Sequence, residues 1–289
     1  MSSNRNRRFF LKSMAAAGLV AGAGSANANR DVPLHPSDLG LTGKGYINPR
    51  KVLLYECTRR EIRERLAAGK LKAALVPTGS TEQHNEHLAM IMDSAGALVT
   101  CQQAALQIYP KAIVTTPVSI GISPHWMNRR GTLSLKKETF VNVVFDICES
   151  LKGHGINTIL IVNGHGGNVK PLNEEIGNFR DKLGINIDNC SYWDSIDKEL
   201  GNKLMETKRW PDHASEFETS IALAAFPERV RYRGIDPNYW DHADYDGRNG
   251  AAWDKKTFGE SKVASAEKGE QIITHASTWL AQKLLGMIG

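Results

Sequence analysis

Three short stretches of this 289-residue sequence concentrate side chains that hold divalent metal ions. The first is Gly79-Ser80-Thr81-Glu82-Gln83-His84-Asn85-Glu86-His87, with Asp93 close behind. The second is Gly164-His165-Gly166-Gly167-Asn168, and the third is His213-Ala214-Ser215-Glu216-Phe217-Glu218-Thr219-Ser220. A Glu-x-His on extended backbone points both side chains the same way, because side chains alternate along it. Carboxylate with imidazole suits zinc, manganese or iron, whereas all-oxygen sets suit calcium or magnesium. The glycines around His165 allow a sharp turn and leave open volume beside it. Asp93, at the start of a helix, can bridge two ions with its two oxygens. Two ions about 3.5–4 Å apart can hold a hydroxide between them and polarise a carbonyl.

Each piece alone has a plainer reading. Asp93, Glu216 and Glu218 are favourable in a first helical turn for capping and dipole reasons. The Gly-His-Gly-Gly stretch can be a turn with a solvated histidine or a weak phosphate loop. Convergence favours the metal, provided the elements between the clusters bring them to one edge.

The pattern of apolar residues supplies such elements. Thr58–Lys70, Asp93–Tyr109, Leu135–Lys152, the stretch after Asn168 to about Leu183, Glu216–Ala225 and Ser265–Leu285 read as helices. Ala73–Thr78, Ala112–Ile120, Thr158–Val162 and Ile185–Trp193 read as strands. Strand, loop and helix repeated in this way predict an α/β fold, a three-layer α/β/α sandwich with a mostly parallel central sheet. In such sheets ligands bind at loops following the carboxyl ends of strands, where the first two clusters fall. Residues 29–50 and 227–262, rich in Pro, Gly, Asp and Tyr, read as irregular excursions, and nothing marks an interdomain linker.

Composition narrows the class further. Hydrophobic residues at 41% and charged residues at 23% exclude a disordered or collagenous chain. The formal charge of +5 invites an anionic partner such as nucleic acid until the charges are located. Arg5, Arg7, Arg8 and Lys12 precede a short Ala/Gly-rich apolar run and then Ser25-Ala26-Asn27-Ala28. That order is a secretory signal peptide, and its apolar run is too short for a stable membrane span. Cleavage after Ala28 would leave residues 29–289 as one domain with 32 basic and 31 acidic side chains, so no nucleic-acid partner is expected. Cys57, Cys101, Cys148 and Cys190 form no CxxC pair, which disfavours a thiolate zinc site, and Cys148 falls in the apolar row of a helix.

The combined motifs give the resemblance its specificity. Gly79–His84, Asp93, Asn163-Gly164-His165-Gly166-Gly167-Asn168 and His213–Ser220 resemble the creatininase (creatinine amidohydrolase) family in order and spacing. Ala264-Ser265-Ala266-Glu267-Lys268-Gly269 resembles its C-terminal segment, so the likeness spans roughly residues 50–285. The resemblance implies two divalent ions (zinc foremost, manganese or iron as alternatives) in an oligomer, often a hexamer. Carried over, Glu82 and His165 hold one ion, His84 and Glu218 the other, Asp93 bridges, and His213 moves the catalytic proton. Glu218 inherits its role because Gly167 stands where creatininase has a glutamate. Gly166 stands where creatininase has a tyrosine, which points away from creatinine as substrate. Gly164, Trp210 and Trp193 are candidate substrate contacts, and His87, His125 and Glu216 candidate outer supports. Asn6–Lys12 resembles the twin-arginine export signal, implying a periplasmic or secreted enzyme exported folded.

The expected activity is hydrolysis of a non-peptide amide C–N bond in a small molecule, a cyclic amide foremost. Two rivals remain: a creatininase-like peptidase acting on a short modified peptide, and a periplasmic binding protein without catalysis.

Overall fold

Ala73–Thr78 and Thr158–Asn163 carry unbroken apolar runs because strands buried on both faces need no polar side. They are the central strands, β1 and β3, of a computed structural model that describes residues 50–233 and 251–289. Contacts divide the chain into Met1–Asp31 and Val32–Gly289. All the described residues belong to the second part, so the expected signal segment lies outside them.

With β2 (Ala112–Val114) and β4 (Asn186–Ser191) the sheet runs β2-β1-β3-β4, every pair parallel. The helices are α1 (Arg59–Ala67), α2 (Met92–Gln107), α3 (Lys137–Gly153), α4 (Gly166–Leu183), α5 (Lys198–Leu204), α6 (Glu216–Ala225), α7 (Ala251–Glu260) and α8 (Ala266–Ile288). Alternate strand residues face opposite ways. Ala74, Val76, Ile159 and Ile161 pack with α3 and α4 residues such as Phe140, Val144, Cys148 and Phe179. Ala73, Leu75, Leu160 and Val162 pack with α2, α6 and α8 through Val99, Phe217, Ile221 and Leu280. Each such side chain is worth about 1.5–3 kcal/mol when fully buried. The expected three layers are therefore present.

Local chemistry sets the boundaries. Thr58 and Glu61 form a reciprocal capping box at α1, and Ser265 caps α8 through the Lys268 amide. The β2 strand stops at Val114, short of the expected Ile120. Pro117 lacks an amide proton to donate, and pairing resumes only at an isolated Thr78–Val118 bridge. The stretch 227–262, expected to be irregular, contains α7. Its Trp253, Asp254, Thr257 and Phe258 form a helical stripe that the surrounding Gly- and Asp-rich sequence obscures. Among the described residues no helix is long and apolar enough to cross a membrane.

Candidate metal centre

The parallel register brings the carboxyl ends of β1 and β3 side by side, pairing Thr78 with Asn163. The chain leaves β1 into the Glu82–His84 loop and leaves β3 directly into His165, which precedes α4. Gly164 has to be glycine, since a Cβ there would collide with the Asp93 carbonyl oxygen. That close approach delivers the first turn of α2, and Asp93 with it, to the edge. Two asparagines of the second motif stitch the edge together. Asn163 Oδ1 accepts from the His165 amide, while its Nδ2 donates to the His165 carbonyl and Ser191 Oγ. Asn168 donates to the Gly79 carbonyl and accepts from the Ile122 amide.

Asp93 lies between two histidines. Its Oδ1 is 3.0 Å from His84 Nε2 and its Oδ2 is 2.9 Å from His165 Nδ1. Glu218 Oε2 is 3.4 Å from the same His84 nitrogen, and Glu82 Oε1 is 3.4 Å from the same His165 nitrogen. The far nitrogen of each ring meets a backbone carbonyl: His84 Nδ1 donates to Glu82 O at 3.0 Å, and His165 Nε2 to Ile122 O at 3.1 Å. A carbonyl only accepts, so each ring can present a lone pair towards the carboxylates. Glu82 Oε2 is buried and, among the described residues, has no hydrogen-bond partner. Three buried carboxylates, two anchored imidazoles and two carboxylate oxygens that accept no hydrogen bond among the described residues, Glu82 Oε2 and Asp93 Oδ2, make a donor set that fits divalent cations. Three groups have ligand atoms mutually within 4.8 Å: Glu82, His125 and His165; Glu82, His84 and His213; and His84, Asp93 and Glu218.

The buried carboxylates and imidazoles shift one another strongly. Burial opposes a charged His165, but Asp93 and Glu82 outweigh it and push the imidazole up to about 10. His84 is likewise raised, Glu218 and Asp93 overcoming its burial. Burial works against the Asp93 carboxylate too, yet the two flanking histidines hold it well below its usual range. Glu218 is raised, chiefly by burial.

His213, on the turn before α6, has Nδ1 3.4 Å from Glu82 Oε1 and Nε2 2.7 Å from the Gln83 carbonyl. Burial and the charge on His84 push it down to about 3. Its ring lies 4.3 Å from His84 and stacks at 4.7 Å on Trp126 and 5.8 Å on Trp253. Trp126 and Trp253 carried no signal in the sequence motifs, Trp253 least of all, since it arrives on α7. Trp126 and His213, with Trp193 and His125, wall a cavity of about 380 Å³ that also exposes Asp93, Glu218 and Gly164, and Trp253 packs on the first two without lining it.

The other candidates lie elsewhere. Trp210 does not line this cavity; its indole packs on Gly201 of α5 and donates to the Ile196 carbonyl. Glu216 points away from the centre and accepts from the Glu206 and Thr207 amides and from Lys268. It fixes the turn leading towards His213. His87 is buried behind Glu218, bonded to Thr219 and stacked on Tyr232. Burial and nearby positive charge push it down to about 3.

A strand-edge site of this composition defines a class, and comparison with known proteins gives the same one. The sequence model of the creatininase family, described as creatinine amidohydrolase, matches residues 55–284. This chain belongs to that family and is a hydrolase of it. It is 30% identical over 246 residues to the creatinine amidohydrolase of Pseudomonas putida, covering 78% of this chain and 92% of that one. It is 29% identical over 188 residues (62% and 58%) to the 3-dehydro-scyllo-inosose hydrolase of Thermotoga maritima. To the mycofactocin precursor peptide peptidase of Mycobacterium ulcerans it is 26% identical over 163 residues (54% and 59%). Solved creatininase structures superpose closely: a mutant of the Zn-Zn type at 27% identity and a Mn form at 26%. Both have a TM-score of 0.67, covering 82% of this chain and 98% of theirs.

Proposed function

We propose that this protein is a two-metal amidohydrolase that opens a small, cyclic, non-peptide amide. The observation that carries the reading is the placement of the two Asp93 oxygens against two histidines, each backed by a backbone carbonyl and flanked by a further carboxylate. Glu82 and His165 would hold one ion, His84 and Glu218 the other, with Asp93 shared. Such a pair of divalent ions supplies Lewis acidity towards a carbonyl and a water acidic enough to attack at neutral pH. The protein's part is orientation and proton transfer. Asp93, Asn163 and Asn168 fix the donors before substrate arrives. Trp126 and Trp193 present apolar faces suited to a flat ring, and the cavity volume fits a small molecule. His213, its Nδ1 facing Glu82 and its ring stacked on Trp126, would take a proton from the attacking water and pass it to the departing nitrogen.

A peptidase acting on a short modified peptide is the second reading, favoured by the similarity to the mycofactocin precursor peptidase. We also place residues 1–28 as an export signal of the twin-arginine type and expect a homo-oligomer.

Metal analysis of the mature protein, combined with a hydrolysis screen of lactams, cyclic ureides and short peptides, tests the assignment. Turnover of cyclic amides by protein holding two ions is expected, and preferential cleavage of peptides would move the assignment to the peptidase. Binding across the panel without turnover by the loaded protein would overturn catalysis in favour of a binding protein.

A further inference from the structure

We propose that His125 is a direct ligand, with Glu82 and His165, of the ion on the His165 side, and that the two ion positions are therefore unequal. The inference rests on the two-ion reading above. Ligand atoms of Glu82, His125 and His165 lie within 4.8 Å of one another. Metal bonds to imidazole and carboxylate are about 2.0–2.2 Å long, so two donors on one ion stand at most about 4.4 Å apart. A closure of a few tenths of an ångström brings all three to a common centre.

The backbone favours that closure. His125 sits in the short 3-10 turn Pro124–Trp126, its ring centroid 6.0 Å from that of His165, and because a nitrogen lone pair lies in the ring plane a rotation of the His125 side chain out of its stacked setting accompanies the closure. Just upstream, Ile122 O and Ser123 Oγ both stand 3.1 Å from His165 Nε2. One segment thus fixes the tautomer of His165 and then supplies the next imidazole. Its far end is pinned by Trp126, only 3% exposed and packed on both Trp253 and His213.

The opposite approach to the same ion is closed. The first turn of α4 offers Gly166 and Gly167, which have no side-chain donors. A Cβ on Gly167 would collide with the Ile122 carbonyl and crowd His165 Nε2, so no longer residue fits there without displacing that segment. Beside Glu82 and Asp93, the 122–125 stretch offers His125 as a further donor on this side. Counting Asp93 for both ions, the His165 side has Glu82, Asp93, His125 and His165, against His84, Asp93 and Glu218 on the other. The richer side should bind more tightly and exchange more slowly.

Zinc titration of the metal-free full chain against a competing chelator tests this, with cobalt as a spectroscopic substitute. The wild-type protein should bind two ions with resolved affinities. His125→Gln should weaken the tighter ion by more than the roughly 10–100-fold that loss of an outer hydrogen-bonding partner costs, and leave the weaker one unchanged. The cobalt form of His125→Cys should gain a near-ultraviolet thiolate-to-cobalt band that the wild type lacks, although the wild type has four cysteines. A tight affinity that falls only within that outer-partner range, or not at all, overturns the proposal. So does a His125→Cys protein that binds cobalt without the band. A wild type that binds fewer than two ions would instead overturn the two-ion reading, and the cysteine band then still reports on ligation by position 125.

Discussion

The donor edge and the aromatic wall of the same cavity are built in opposite ways. At the donor edge, five side chains come from three short motifs, each placed where a strand ends or a helix begins. The wall is Trp126, from a turn after β2, backed by Trp253, from a helix more than a hundred residues later. What holds α7 in place is also remote: a buried Arg129–Asp254 ion pair at 3.0 Å, Asn85 donating to Thr257, and Arg209 gripping Glu260 with contacts at 2.8 and 3.0 Å. The edge draws its order from the sheet. The wall draws its order from a few polar clamps, and should be separable from the edge by mutation.

The sharpest break is Asp93→Asn, which would remove the charge shared by the two ion positions proposed above. Turnover should fall by about 10³-fold or more, the scale of losing a preorganised electrostatic contact. Metal analysis should find neither ion retained stoichiometrically, while the fold persists by circular dichroism. On the wall, Asp254→Asn removes the buried carboxylate that pairs with Arg129 and should cost about 3–5 kcal/mol in urea unfolding. Metal content of the folded protein should be unchanged; loss of both ions there would mean that wall and edge are one cooperative unit.

Behind the edge, His87 gives a pH signature. Its native imidazole titrates near 3, against about 6.5 in the unfolded chain. The unfolded state therefore takes up a proton that the native state refuses between those values, so stability falls as pH drops from about 6.5 towards 3. His87→Gln should flatten that part of the stability–pH curve, read from thermal midpoints at a series of pH values. The smallest effect belongs to Trp126→Phe. It keeps a ring against His213 and should cost about 0.5–1.5 kcal/mol of stacking, seen as a modest rise in KM with little change in kcat.

Legibility in the sequence followed the same division. The strands and most helices were readable because apolar period and caps are local, and Glu216–Ala225 matches its expected bounds. The candidate donors were visible as clusters because each motif is contiguous, and the structure links Glu82, His84, Asp93, His165 and Glu218 by contacts of 2.9 to 3.4 Å. The sequence did not reveal what lies between motifs. Trp253 was hidden because α7 sits among turn-forming residues, and Trp126 because a tryptophan beside a histidine has many uses. Trp210 was expected near the substrate, yet its ring fills the space over Gly201, a tertiary choice with no local trace. Asn163 and Asn168 were visible as letters of a motif, but only the register of β1 on β3 reveals them as cross-braces.

The distance in sequence between the donors has a consequence for how the ions are acquired. Glu82 and Glu218 are separated by most of the domain, and nothing short of the assembled parallel sheet brings them together. Unlike a zinc finger, whose nearby ligands capture the ion as the chain collapses, each ion position proposed here draws on motifs far apart in sequence, Glu82 with His165 and His84 with Glu218. Loading is therefore a late event, and the supply of metal in whichever compartment completes folding decides which ion is captured.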